Sequence, residues 1–107
     1  MAFHRESGVW TLVKWVRVLL VEDGKAPDIC ELPNNLKALE LTVHGFLEMI
    51  QINRSGCVII YNGMKKLTEK PVSRADIKGT FIIARVIPPE LASLSDQDIE
   101  ILAKAYQ

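Results

Sequence analysis

One stretch of the chain restricts its fold more than any other, namely residues 79–86 with the sequence GTFIIARV. In a strand with one exposed face, polar residues recur at every second position. Residues 81–84 are all apolar, so neither face of this strand is suited to water. We therefore predict a central strand that is covered on both faces and that ends before Pro88 and Pro89.

Shorter apolar runs between turn residues predict four more strands. Asp23 and Gly24 favour a tight hairpin, and Pro27 marks the returning strand as an edge strand because proline lacks a backbone N–H. The polar tetrapeptide over residues 53–56 is typical of a second hairpin. The predicted strands cover residues 15–21, 26–32, 46–52, 57–61 and 79–86.

Two amphipathic segments predict helices. In the first, Asn35 is a suitable N-cap before the apolar stripe of Leu36, Leu39 and Val43, and Gly45 is the expected left-handed C-cap.

The second helix is expected to begin after Ser95, an N-cap serine with an acid, Asp98, three positions later. Leu94 and Ile99 have the spacing of a hydrophobic staple. The residues expected to be buried by this helix are Ile99, Leu102, Ala103 and Tyr106.

These elements give the order β-β-α-β-β-loop-β-α, an α+β fold with a five-stranded antiparallel or mixed sheet and two main helices. The helices are expected to cover one face of the sheet. Residues 15–107 are predicted to form a single α+β domain, and residues 1–14 an apolar leader or an extension of the first strand. The irregular stretch over residues 64–79 is expected to be anchored inward by Met64, Leu67 and Val72.

Charge points to one candidate binding surface. The 13 basic and 13 acidic residues cancel, so no overall field favours nucleic acid or an anionic membrane. Residues 54–85, however, hold seven basic residues against two acidic ones, which makes the loop over 62–78 the predicted surface for an acidic partner or an anion. The alternative is a solvated lysine-rich loop. The candidate binding residues are Asn62, Lys65, Lys66, Arg74 and Lys78.

The beginning of the sequence is unusually apolar and carries two tryptophans, Trp10 and Trp15. Either this segment extends the first strand and packs on the core, or it forms a patch that faces a partner or a second copy. The two tryptophans are the candidate interface residues.

The sequence gives little support for an enzyme. Phosphate-loop, zincin and nucleophile-elbow motifs do not occur in it, and no cofactor or metal site is predicted. A His44–Cys57 pair is conceivable, but a helix C-terminus explains His44 and a strand core explains Cys57.

Cys30 and Cys57 are interpreted as buried thiols in a reducing compartment, and no secretory or membrane-spanning segment is recognised, so a cytoplasmic protein is predicted.

A set of short patterns in a fixed order carries a resemblance. It consists of residues 18–22 (VLLVE), the helix over 36–45 followed by FLE, Asn62 after a strand, Pro71, Arg74, residues 76–83 (DIKGTFII) and residues 93–96 (SLSD). From about Val16 onward the chain resembles a small bacterial family, a domain of unknown function found on phages, plasmids and conjugative elements. Ser73 stands where that family tends to have asparagine, and its members usually lack a tryptophan-bearing leader. The resemblance implies a cytoplasmic accessory protein of a mobile genetic element, of a kind often encoded near anti-restriction genes.

Two functions from different classes remain open at this point. The first is a non-enzymatic binding protein that contacts a protein of the host or of the mobile element, and the resemblance makes a host defence protein the expected target. The second is nucleic-acid or nucleotide binding through residues 54–85, which salt would weaken. A protein partner, no membrane association, and a monomer or homodimer are predicted.

Overall fold

The computed structural model describes residues 2–6, 9–65 and 71–107, and of these it describes residues 2–6 and 9–13 by their backbone alone. The strands are β1 Ala2–Glu6, β2 Val9–Val13, β3 Trp15–Val21, β4 Asp28–Pro33, β5 Leu47–Gln51, β6 Cys57–Asn62, β7 Phe81–Ile87 and β8 Glu90–Ala92. The helices are α1 Leu36–Val43 and α2 Asp96–Ala105, with a short 3-10 turn at Arg74–Asp76. Within these described ranges, no helix has the length and apolar character needed to cross a membrane.

The main sheet is antiparallel, with the strand order β4-β3-β7-β6-β5 and with β8 paired to the far end of β7. This confirms the α+β class, the antiparallel sheet and the central position of the strand predicted over residues 79–86. It also places β4 at an edge, as Pro27 indicated. The predicted order differs in detail, because β1 and β2 form a two-stranded sheet of their own before β3, and β8 follows β7.

The two helices lie on opposite faces of the sheet, so the expectation that both cover one face is wrong. Leu39 and Val43 of α1 pack in the same core cluster as Ile82 of β7. Leu102 of α2 packs in the other core cluster, with Ile83 of β7. Because successive residues of a strand point to opposite faces, a central strand that is apolar throughout needs a cover on each side.

Helix α1 begins as predicted but ends differently. The Asn35 side chain accepts a hydrogen bond from the Ala38 N–H and caps the first turn. The left-handed residue at the other end is His44, with a φ of 64°, and not the predicted Gly45. Glycine is required at position 45 for lack of space, since a Cβ there would lie 2.6 Å from the side chain of Asn62. Close approach of α1 to β6 therefore depends on this glycine.

The irregular stretch after β6 is anchored by different residues from those expected. Met64 and Val72 are 75% and 72% exposed, so their prediction as inward anchors is wrong, and Leu67 lies outside the described residues. Pro71 and Ile77 are buried instead.

A turn closed by side-chain hydrogen bonds of Asp76 explains why Pro71 and Ile77 are buried while Met64 and Val72 are exposed. The Asp76 carboxylate accepts hydrogen bonds from the backbone N–H groups of Val72 and Ser73, at 2.9 and 3.2 Å. This arrangement is a capping box around the 3-10 turn, and Ile77 leaves the turn in an extended conformation pointing into the core. No hydrophobic period is involved, so periodicity could not identify the buried positions.

Tyr106 joins the end of α2 to the same stretch. Its hydroxyl donates a buried hydrogen bond to the Pro71 carbonyl at 2.8 Å, and its ring meets Phe81 edge-on. Burial, with a further effect from the charge of Asp76, raises the pKa of Tyr106, so the phenol stays a donor at neutral pH.

We expect Tyr106→Phe to lower the free energy of unfolding by about 1–2 kcal/mol in urea denaturation, because the Pro71 carbonyl loses its partner. An unchanged midpoint would contradict this role.

Candidate functional site

A polar cleft lies at one end of the main sheet, where β3 and β6 end and β7 begins. The register pairs Val21 with Phe81 and Ile60 with Ile82, so these strand ends are neighbours. The cavity has a volume of about 320 Å³ and is lined by Asp23, Val43, His44, Asn62, Lys65, Gly79 and Thr80. Two of the predicted binding residues, Asn62 and Lys65, therefore do come together.

Asn62 acts in this cleft as a clamp between two elements. Its side chain is nearly buried, with 8% of the residue exposed. The amide nitrogen donates to the His44 carbonyl at 3.0 Å, and the amide oxygen accepts from the Met64 N–H at 2.9 Å. The residue thus fixes the end of α1 relative to the turn after β6, which is a positioning role that the sequence did not reveal.

Four exposed side chains surround this clamp, and we call them the β6-end surface: His44, Phe46, Met64 and Lys65. His44 and Lys65 line the cleft, while Phe46 and Met64 flank the turn after β6. The Phe46 ring lies against Gly63, where any Cβ would collide with it, and the Gly63 N–H donates to the Phe46 carbonyl at 2.9 Å. Aromatic and methionine side chains are enriched at protein-binding surfaces, and here an exposed aromatic ring and a thioether flank the same turn.

The other predicted binding residues take separate positions. Arg74 is half-buried, and its guanidinium donates to the Glu22 carbonyl at 2.6 Å, which fastens the 3-10 turn to the end of β3. Lys78 is exposed just before the glycine that lines the cleft. Lys66 lies outside the described residues. Of the predicted cations that have a described position, Lys65 is the one that lines the cleft.

Two further cations of the segment 54–85 lie away from this end of the sheet. Arg54 belongs to the turn between β5 and β6, at the opposite end of β6. Arg85 pairs with Asp98 at 3.1 Å. Burial would raise the pKa of Asp98, but hydrogen bonds with the backbone and side chain of Ser95, together with the Arg85 charge, lower it. The basic character of the segment is therefore divided among several places.

His44 and Cys57 do not form the thiol–imidazole pair considered from the sequence. Cys57 is fully buried at the start of β6, in the core beneath α2. His44 is exposed at the end of α1, near the other end of β6 and on the other face. Cys30, predicted to be buried, is only half-buried in β4. Among the residues with a described position, no three His, Cys, Asp or Glu side chains are grouped as a metal ion would need.

The two candidate interface residues, Trp10 and Trp15, lie in different sheets. Trp10 lies opposite Arg5 in the hairpin of β1 and β2, of which only the backbone is described. Trp15 opens β3 opposite Pro33 of β4, and its side chain is partly exposed.

These observations define the class: a small α+β domain with one helix on each face of an antiparallel sheet and an amide-clamped cleft at the end of that sheet. Residues 16–107 match the family described as a domain of unknown function (DUF3846), and the chain belongs to this family. The match begins at the first residues of β3 and leaves the hairpin of β1 and β2 outside. Comparisons with the curated proteins and with the solved structures found no significant match.

Proposed function

We propose that the protein is a non-enzymatic binding protein that recognises another protein through the β6-end surface. The observation that carries this proposal is the clamp formed by Asn62. It holds the end of α1 and the turn after β6 together, so the exposed side chains on both are presented in one fixed arrangement. Such preorganisation lowers the entropic cost of binding.

The chemistry of the surface indicates the kind of partner. Phe46 and Met64 offer apolar contact, and Lys65 offers a charge to a carboxylate beside it. Asp23 and the C-terminal end of α1 bring negative potential to the same cleft, which disfavours a purely anionic ligand such as a phosphate backbone. A protein partner with an apolar side chain flanked by an acid fits this surface best.

The resemblance to accessory proteins of mobile genetic elements suggests where such a partner is found. On that basis we propose a host defence protein as the target, in a mode in which the small domain acts by occupying a surface of its partner.

A capture experiment with paired variants tests the surface. Partners retained from host lysate are identified by mass spectrometry, and the purified partner is titrated by calorimetry. We expect Phe46→Ala to weaken binding by about tenfold and Lys65→Glu by about three- to tenfold, the latter with a reduced salt dependence. The matched controls are Ile101→Ala on α2, an exposed apolar residue, and Arg54→Glu, an exposed cation at the opposite end of β6.

Two results would count against the proposal. If both surface variants bound the partner as tightly as the two controls, the β6-end surface would be the wrong one. If the protein retarded DNA or RNA in a salt-sensitive way and Lys65→Glu abolished that retardation, nucleic-acid binding would replace protein recognition as the function.

A further inference from the structure

The outer edge of β5 exposes backbone groups whose identity follows from two hydrogen bonds. The Ile52 N–H donates to the Cys57 carbonyl, and the Gly63 N–H donates to the Phe46 carbonyl, each at 2.9 Å. Alternate residues of an antiparallel strand bond to the same neighbour, so the even-numbered residues of β5 face β6. Leu47, Met49 and Gln51 therefore direct their N–H and C=O groups outward, where no strand among the described residues pairs with them.

The opposite edge of the sheet, β4, is protected in a way that β5 is not. The Asn34 N–H donates to the Lys14 carbonyl at 2.7 Å, so the outward residues of β4 are Ile29, Glu31 and Pro33. Pro33 has no backbone N–H and Glu31 carries a charge, and both features block the addition of a further strand. The outward residues of β5 are uncharged and include no proline.

We propose that β5 pairs antiparallel with β5 of a second copy of this chain, with Met49 opposite Met49 across a two-fold axis. In this register Leu47 lies opposite Gln51, and all the outward N–H and C=O groups of these three residues find partners. Glu48 lies opposite Ile50, so no like charges face each other. The edge strand is self-complementary, which an unrelated extended peptide would match only by chance.

The surface next to the edge suits the same arrangement. An apolar groove runs from Met49 and Gln51 across Val58 to Val86 and Pro88, on the face that carries α1. A two-fold axis perpendicular to the sheet places the equivalent groove of the second copy on the same face, directly beyond the two Met49 side chains. Pairing therefore joins the apolar grooves of the two copies into one continuous surface across the dimer interface.

Placing like charges at the two-fold axis provides the first test of the pairing. Met49→Lys places two ammonium groups opposite each other, whereas Ile29→Lys makes a matched change on the protected edge; Met49 and Ile29 are 54% and 55% exposed. Sedimentation equilibrium over a concentration series should give a dimer for the wild type and for Ile29→Lys. It should give a dissociation constant at least about tenfold higher for Met49→Lys. Circular dichroism confirms that each variant is folded.

A gain-of-function variant keeps the test independent of any folding defect. Met49→Cys brings two thiols together on the two-fold axis, at a Cα separation of about 5.5 Å that a disulfide can span. Mild oxidation should give a covalent dimer that Ile29→Cys does not give. The half-buried native Cys30 contributes little background, because burial and the charges of Asp28 and Glu22 raise its pKa. A wild type that stays monomeric throughout the series, or cross-linking by Ile29→Cys alone, would overturn the proposal.

Discussion

Asn62→Asp is expected to lower the free energy of unfolding by about 3 kcal/mol at pH 7, the largest effect of any single-atom exchange in the candidate site. The wild-type amide donates to the His44 carbonyl and accepts from the Met64 N–H. A carboxylate keeps the second bond but turns an oxygen toward the His44 carbonyl, in a position with 8% exposure. The cost therefore combines a lost donor, repulsion between oxygens and a poorly solvated charge.

The pH dependence of this variant distinguishes a buried charge from general loosening. A buried carboxyl has a raised pKa in the folded state, so the penalty is full at neutral pH and shrinks as pH falls toward about 4, where both states bind the proton. A protonated carboxyl can again donate to the His44 carbonyl. Urea denaturation at pH 7 and pH 4.5, relative to the wild type at each pH, measures this difference.

Asn53 provides a matched control for the same chemical change. Its side-chain oxygen accepts hydrogen bonds from the Cys57 N–H and the Ser55 hydroxyl, both at 2.9 Å. Asn53→Asp keeps both bonds, so it should change the free energy of unfolding by less than about 0.5 kcal/mol. Equal destabilisation by Asn53→Asp and Asn62→Asp would show that the donor function of Asn62 does not hold the site together.

The sequence predicted the parts of the fold that depend on local rules. The capping box of Ser95 and Asp98, the N-cap at Asn35 and the turn at Asp23-Gly24 each involve residues within a few positions of one another, and each is present. The central strand could be recognised because burial on both faces removes alternation. The same burial requires a cover on each face, which α1 and α2 supply.

The candidate site could be predicted only in part, because its organisation depends on pairs that are distant in the chain. The bond from Asn62 to His44 spans 18 positions, and the bond from Arg74 to Glu22 spans 52. No pattern in the sequence indicates that Arg74 is engaged with a carbonyl while Lys65 remains exposed. Phe46 was missed as a surface residue because it was assigned to the strand over residues 46–52, whereas β5 begins at Leu47.

The ion pair between Asp98 and Arg85 was also beyond the sequence, and we expect Asp98→Ala to lower the free energy of unfolding by about 2–3 kcal/mol. The carboxylate accepts from Arg85 at 3.1 Å and from the Ser95 N–H at 3.2 Å, and its side chain is 14% exposed. Removing it breaks the Asp98 half of the capping box, so the Ser95 N–H loses its acceptor, and it leaves a half-buried guanidinium unpaired. Asp96→Ala is the matched control, because that carboxylate also pairs with an arginine but is 94% exposed, so its loss should cost under about 1 kcal/mol.

The acid side of the stability profile gives the same pair a second readout. Burial opposes ionisation of Asp98, but its hydrogen bonds with Ser95 and the charge of Arg85 lower its pKa in the folded state. A carboxyl with a lowered pKa contributes stability above its unfolded value of about 3.9 and loses it as pH falls through the folded value. The difference in the free energy of unfolding between the wild type and Asp98→Asn should therefore become smaller below about pH 4. A gap that stayed constant down to pH 2.5 would mean that Asp98 stabilises α2 by packing, and that its charge has no part in holding the helix on the sheet.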